Sequence, residues 1–354
     1  MSGQLTMLSA AGGPETIGTA HGAAFGDEIR AYLTERVRLS TLGTDLGPDD
    51  AVAIAERMLD AHARYDEAIF AEMTAMADAA GISRAEAVIV GGYTDFIDTV
   101  RAVAHGTAIE DTCTAVITPD ATSNGAGFLA QTWDMHASAT PHVFMLDVRP
   151  DDGPRALVFT THGTVGQIGM NDAGIAIGIN NLTVTDGAYG VTWPFVVRKA
   201  LRQTTFEAAL TCILEAPLAG GHNFLLFDDQ GNGASVEATP SVTFVDRLTD
   251  EPLVHTNHCI VPETQAIEAE RPAELDVNSK QRIADAQRLL DAAPVHTFDT
   301  LAALVSDESS ICRHPEPPFS YESSGAVIMR PATRDLWAAW GQPSSNPFEH
   351  FSLA

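Results

Sequence analysis

Lysine is almost missing from this chain: Lys199 and Lys280 are the only two among 354 residues. With arginine included, 20 basic residues face 47 aspartates and glutamates, a formal net charge of −27. Gripping a phosphate backbone or an anionic lipid surface needs a basic face that displaces counterions, so neither nucleic acid nor a membrane is expected as partner. The excess acid reads as solubility. No window approaches 18 consecutive apolar residues, so no transmembrane helix is expected. Residues 1–20 lack a basic stretch followed by an apolar one, and Gly12, Gly13 and Pro14 interrupt them, so no signal peptide is expected either. Cysteine is scarce as well. Cys113, Cys212, Cys259 and Cys312 lie far apart without a C-x-x-C pair, which suits reduced thiols in the cytoplasm better than a disulfide framework. What is present is a large apolar fraction, 45%, enough to bury a sizeable core.

The first hundred residues read as helical. Ile29, Tyr32, Leu33 and Val37 recur at helical spacing within Asp27 to Thr41. Pro48-Asp-Asp50 opens a long run, Ala51 to Ala80, closed by Gly81, and Ser83-Arg-Ala-Glu86 forms a capping box before a shorter helix. After His105-Gly106 the pattern turns to strands: Cys113 to Ile117, Phe128 to Trp133, Val143 to Val148, Ala156 to Thr161 and Ile175 to Ile179. Trp193 to Ala216 returns to helical spacing, and a hairpin is expected around Asp229 to Asn232. Helices over Lys280 to Ala293 and Leu301 to Val305 precede strands at Val327 to Met329 and Leu336 to Trp340. Residues 262–278, rich in Pro, Glu and Ala, read as a long surface excursion. The succession of helices and strands implies an α+β layered domain.

A cysteine at a strand start is most often a small buried hydrophobe. As a nucleophile, Cys113 would need a base and an oxyanion donor. Asp134, directly after a tryptophan at a strand end, and Asn257, within Val254-His-Thr-Asn-His258, are candidates for supporting roles. His255 and His258 on an extended segment would point to different faces, which argues against a metal pair. Gly163-Thr-Val-Gly-Gln-Ile-Gly169 has the wrong spacing for a phosphate loop and reads as a tight connection.

Taken in order, Asp111-Thr-Cys-Thr114, Gln131-Thr-Trp-Asp134, Gly166 to Gly174, Asn180-Asn181, Pro194 to Ala209, Asn223 to Asp228, Val254 to His258, Ser310-Ile-Cys-Arg313 and Trp340-Gly-Gln-Pro343 resemble one family. It is the acyl-coenzyme A:6-aminopenicillanic acid acyltransferase (isopenicillin N acyltransferase) family of N-terminal-nucleophile (Ntn) hydrolases. The resemblance implies a four-layer αββα sandwich of the Ntn-hydrolase type. It also implies a zymogen cleaved between Thr112 and Cys113 into an α chain (1–112) and a catalytic β chain (113–354), which together make one domain and could assemble further. Family members often carry glycine before the cysteine; Thr112 departs from that.

On this resemblance Cys113 is the thiol nucleophile, its freed α-amine, ordinarily titrating near pH 7.7–8.0, the base, Asn257 the oxyanion donor and Asp134 the support for the new ammonium. Thr114, Met135, His136, Arg313 and Ser324 fall on the substrate side. Met135 and His136 lie where the fungal acyltransferase lines its acyl pocket with aromatic residues. Ser324 lies where that enzyme has an arginine and carries no charge for a penicillin-like carboxylate; Arg313 is a candidate anion contact, with a structural salt bridge as the alternative. No cofactor or metal is implied. The expected activity is hydrolysis of a linear amide in a small N-acylated amine or amino acid. Acyl transfer to an amine, a thiol hydrolase with His255 or His258 as external base, and an uncleaved non-catalytic binding relative are the alternatives.

Overall fold

The computed structural model describes residues 4–104, 112–315 and 320–354. In chain order the strands are β1 (Met7–Gly12), β2 (Thr114–Thr118), β3 (Phe128–His136), β4 (Val143–Pro150), β5 (Ala156–Thr161), β6 (Ile168–Asn171) and β7 (Ile175–Leu182). They continue with β8 (Gly221–Asp228), β9 (Gly233–Ala238), β10 (Thr243–Arg247), β11 (Leu253–His255), β12 (Tyr321–Arg330), β13 (Asp335–Trp340) and β14 (Glu349–Ser352). The helices before β2 are α1 (Pro14–Ser40), α2 (Pro48–Glu56), α3 (Leu59–Tyr65), α4 (Glu67–Ala80), α5 (Arg84–Gly91) and α6 (Tyr93–Ala104). After β7 come α7 (Trp193–Ala200), α8 (Phe206–Leu214), α9 (Pro262–Gln265), α10 (Ala273–Ala292) and α11 (Phe298–Val305).

One sheet has the order β1-β4-β5-β6-β7-β8-β9-β10 and the other β11-β2-β3-β12-β13-β14. Helices α1, α7 and α8 lie against the first, and α10 and α11 against the second; β2 and β3 meet β7 and β8 across the middle. This is the αββα sandwich. Strand alternation sorts the side chains as period 2 requires. Cys113, Ala115 and Ile117 enter the large core, whereas Val116 joins a separate cluster with Ala286, Leu290 and Leu304 of α10 and α11.

The two sheets are tied by a side chain. Gln131 of β3, fully buried, accepts from Ile179 N at 2.8 Å and donates to Ile179 O at 3.0 Å on β7. Its amide imitates a peptide group and satisfies both backbone partners. Gly178 makes room for it, because a Cβ there would run into Gln131 Oε1.

Several expectations need correction. The first hundred residues are not wholly helical: β1 forms the edge of the first sheet, parallel to β4. The run from Ala51 to Ala80 is three helices, because Asp66 leaves helical geometry to cap α4 by accepting from Ile69 N. Helix α1 begins well before Asp27, at Pro14 after Gly13, with a kink at Phe25. Trp193 to Ala216 is likewise broken into α7 and α8, and Thr205 caps the second. The capping box at Ser83 and Glu86 and the helix end at Gly81 (φ 74) stand as expected. Residues 262–278 lie largely at the surface, as expected, but not as an irregular loop. They form α9 and the start of α10, and Ala269 N donates to Thr183 O beyond the end of β7.

Candidate active site

Cys113 lies immediately before β2, completely buried, with Sγ 3.9 Å from Asp134 O on the neighbouring strand β3. Thr112 is buried beside it. The residue that organises this corner is Arg282, which comes from α10 and is 0% exposed. Its Nη1 donates to Cys113 O and to Thr114 Oγ1 (3.0 Å), its Nη2 to Asn257 Oδ1 (3.1 Å), and its Nε to Asn278 Oδ1 (2.9 Å). One planar fork thus joins the backbone of Cys113 to the side chain of Asn257. Burial lowers the Arg282 pKa to about 10, opposed by Asp134 and Cys113 nearby.

Asn257 is held at every polar atom. Oδ1 takes Arg282, Nδ2 donates to Asn181 O at 3.1 Å, the backbone N donates to Ser279 Oγ at 3.0 Å, and Arg271 Nη1 donates to the backbone O. A guanidinium only donates and a carbonyl only accepts, so the amide can face only one way. Nδ2 carries two hydrogens, and one acceptor, Asn181 O, faces it among the described residues.

The flanking histidines lock this segment. His255 Nδ1 faces Thr256 O and Nε2 faces Glu237 Oε1, each at 2.8 Å. Both ring nitrogens are thus engaged within the protein. Glu237 is held below its ordinary value: burial opposes this, but the His255 contact, Thr264 and Ile260 N outweigh it. His258 Nδ1 is bound to Ser279 Oγ at 2.8 Å, and burial lowers its pKa to about 4. The two rings point to different partners. Among the described residues no group of three or more His, Cys, Asp or Glu could hold a metal ion.

Asp134 is fully buried. Burial raises its pKa to about 6, against the Ser323 hydrogen bond and the charges of Arg282 and Arg313. Ser323 Oγ donates to Oδ1 at 2.7 Å, while Oδ2 has no hydrogen-bond partner among the described residues. Arg313 N in turn donates to Ser323 Oγ at 2.9 Å.

On the substrate side, Thr114 touches Arg282 and Met135 Sδ accepts from Arg36 Nη1 at 3.6 Å. His136 stands between the rings of Tyr93 and Tyr321, with centroids at 6.4 and 4.7 Å. Burial lowers its pKa to about 4, so the ring is neutral. With Glu35, Arg38, Leu39 and Tyr321 it lines a cavity of about 340 Å³. Ser324 is fully buried and hydrogen-bonds Thr140 Oγ1 at 2.9 Å, while the neighbouring Ser323 pairs with Asp134. The strand irregularity between Ser323 and Gly325 turns Ser323 towards Asp134.

Arg282, Ser323, Ser279 and Arg271 were not singled out in the sequence. For Arg282 a signal existed. Leu275, Ser279, Arg282, Ala286 and Leu290 make up the buried stripe of α10, and an arginine within such a stripe needs a buried partner.

The sequence pattern of the family described as "Acyl-coenzyme A:6-aminopenicillanic acid acyl-transferase" matches residues 121–345, starting just after Cys113. A similar curated protein is the acyl-coenzyme A:6-aminopenicillanic-acid-acyltransferase 40 kDa form of Emericella nidulans. It is 25% identical over 355 residues, covering 97% of this chain and 94% of that protein. Solved structures with some likeness include a conjugated bile acid hydrolase from Clostridium perfringens, at 11% identity and TM-score 0.47, covering 68% of this chain and 92% of that one. Another is a penicillin V acylase from Agrobacterium tumefaciens, at 12% identity and TM-score 0.40, covering 68% and 86%. The chain belongs to the acyl-coenzyme A:6-aminopenicillanic acid acyl-transferase family.

Proposed function

We propose that this protein is a self-processing cysteine amide hydrolase acting on a small N-acylated amine or amino acid. The observation that carries the reading is the Arg282 fork, which joins Cys113 and Asn257 although 143 residues separate them in the chain. In the processing step Cys113 Sγ attacks the Thr112 carbonyl carbon and the C–N bond breaks. A thioester forms and the Cys113 amine is released. Water then hydrolyses the thioester, leaving a Thr112 carboxylate and a free thiol.

The new α-amine would have a pKa of about 7.7–8.0 and takes the thiol proton. The thiolate attacks the substrate amide, and the second hydrogen of Asn257 Nδ2 stabilises the oxyanion. Collapse expels the amine, which takes its proton from the α-ammonium, and water resolves the acyl-enzyme. Asp134, with Oδ2 unoccupied, would support the ammonium. His255 is poorly placed to serve as an external base, since both its ring nitrogens are engaged, with Thr256 O and Glu237 Oε1. His258 is tied to Ser279 through Nδ1. Among the described residues no helix is long and apolar enough to cross a membrane, and none of the four cysteines forms a disulfide. Buried thiols of this kind fit a reducing cytoplasm.

Family membership favours a second outcome for the acyl-enzyme, transfer to an amine acceptor in place of water. Intact-mass spectrometry of the purified protein tests processing: chains of 112 and 242 residues are expected. A panel of N-acyl amines and amino acids, with and without an amine acceptor, tests turnover. A fully active chain that stays in one piece would overturn the mechanism, because the thiol would then have no base.

A further inference from the structure

Strand β11 stops short of Asn257. Leu253, Val254 and His255 pair with Ile117, Val116 and Ala115 of β2, and the ladder ends there. Carried on along the chain, the same antiparallel register would set Asn257 opposite Cys113. Buried backbone groups beyond a ladder need other partners, and residues 256–258 are buried. Side chains supply them. His255 Nδ1 faces Thr256 O, Arg271 Nη1 donates to Asn257 O, and Asn257 N donates to Ser279 Oγ at 3.0 Å.

Ser279 holds the middle of this segment. It lies on the buried stripe of α10, 1% exposed, on the same face as Arg282. Besides Asn257 N, its Oγ meets Thr256 Oγ1 at 2.9 Å and His258 Nδ1 at 2.8 Å, and its backbone O accepts from Thr256 Oγ1 at 3.0 Å. One hydroxyl thus reaches three consecutive residues. The hydrogens suffice for all of them. Asn257 N–H takes a lone pair of the serine, Thr256 gives its hydrogen to Ser279 O, and the neutral His258 ring can accept the serine's own. Glu237, by contrast, grips the ends of the segment, at His255 Nε2 (2.8 Å) and Ile260 N (2.7 Å). Arg282 and Asn181 O fix which way the Asn257 amide faces. Ser279 fixes where its backbone stands.

We propose that Ser279 is a positioning residue for amide hydrolysis: by holding Asn257 N it sets where Asn257 Nδ2 stands relative to Cys113. This rests on the reading of Asn257 as oxyanion donor given above. Such a donor must lie about 2.7–3.1 Å from the developing charge, and a misplacement of about 1 Å can cost about 100-fold in rate. The contact forms only as the charge develops, so its loss falls on kcat and not on KM.

Ser279→Ala should lower kcat by roughly 10- to 100-fold and leave KM within about threefold. Ser279→Thr, which keeps the hydroxyl, should recover most of the loss. In an Asn257→Ala background, Ser279→Ala should cost less than about threefold more, because the group it positions is gone. A purely structural role would multiply the two losses. An unchanged kcat in Ser279→Ala, or losses that multiply in full, overturns the proposal. If Ser279→Ala does not fold, Ser279→Cys, whose sulfur is a weak acceptor, carries the same expectations. Hydrogen exchange at the Asn257 backbone amide, followed by NMR, needs no substrate and separates this proposal from the hydrolase reading. Exchange at least about 10-fold faster in Ser279→Ala, the size of one lost hydrogen bond, together with a wild type that cleaves no amide, upholds Ser279 as the holder of Asn257 and sinks the hydrolase. Exchange at the wild-type rate overturns the proposal whether or not the protein cleaves amides.

Discussion

Replacing Asp134 by asparagine offers a quantitative test of how the site is charged. In the native protein burial raises the pKa of this carboxyl from its ordinary 3.8 to about 6. The folded state therefore keeps a proton that the unfolded chain has already lost. The stabilisation is complete below the unfolded value and disappears as pH rises through the folded one. The difference corresponds to about 3 kcal/mol over the whole window and about 2 kcal/mol between about pH 4 and pH 6.5. Asparagine does not titrate and can still accept from Ser323 through Oδ1, though its NH₂ would lie where Oδ2 now has no partner. That adds a constant penalty of about 1–3 kcal/mol but no pH dependence. Asp134→Asn should thus gain on its parent by about 2 kcal/mol as pH climbs from about 4 to 6.5. The comparison belongs in the unprocessed Cys113→Ala background, because an α-ammonium would hold Asp134 ionised and shrink the effect. Urea unfolding followed by tryptophan fluorescence is the assay, since guanidinium would screen the charges. Parallel stability curves for the two chains would refute the reasoning.

Three further outcomes follow from the same geometry. Cys113→Ala should give a single full-length mass and no turnover; two chains in that variant would place the cut or the nucleophile elsewhere. Asn257→Ala should remain folded but turn over at least about 100-fold more slowly, as for loss of one oxyanion donor, read by steady-state kinetics; unchanged kinetics would remove Asn257 from the site. Gln131→Met should destabilise the protein by about 2–5 kcal/mol, because two backbone groups of Ile179 lose their partners in the core, read as a fall in the urea midpoint. A shift below about 0.5 kcal/mol, the size of an ordinary surface substitution, would mean that the sheets do not depend on this amide.

Much of the framework could be read from local pattern. Short β-type runs between Pro- and Gly-containing turns marked β3, β4, β5 and β7, and turn and cap chemistry marked Gly81, Ser83 and the β8–β9 hairpin. Each of those signals acts over a few residues, so it is visible in the chain itself. Element boundaries were less legible. Asp66 reads as one more polar helix residue until its carboxylate is seen capping α4. Strand β1 carries no strong period and owes its existence to β4, far along the chain.

The site divides in the same way. Cys113, Asp134 and Asn257 could be named because each sits in a short segment of recognisable composition, and the order of those segments resembles a family. Arg282 was marked in the chain only by its place in the stripe of α10, and the groups it reaches from there were not legible. Ser323, not singled out in the chain, pairs with Asp134 where the register of β12 shifts before Gly325. Composition and period, being local, determined which segments become helices and strands and which residue types are available for chemistry. Only the tertiary structure decided which of them share one desolvated corner, because hydrogen bonds such as those of Arg282 depend on distances that close only when α10 docks on β2.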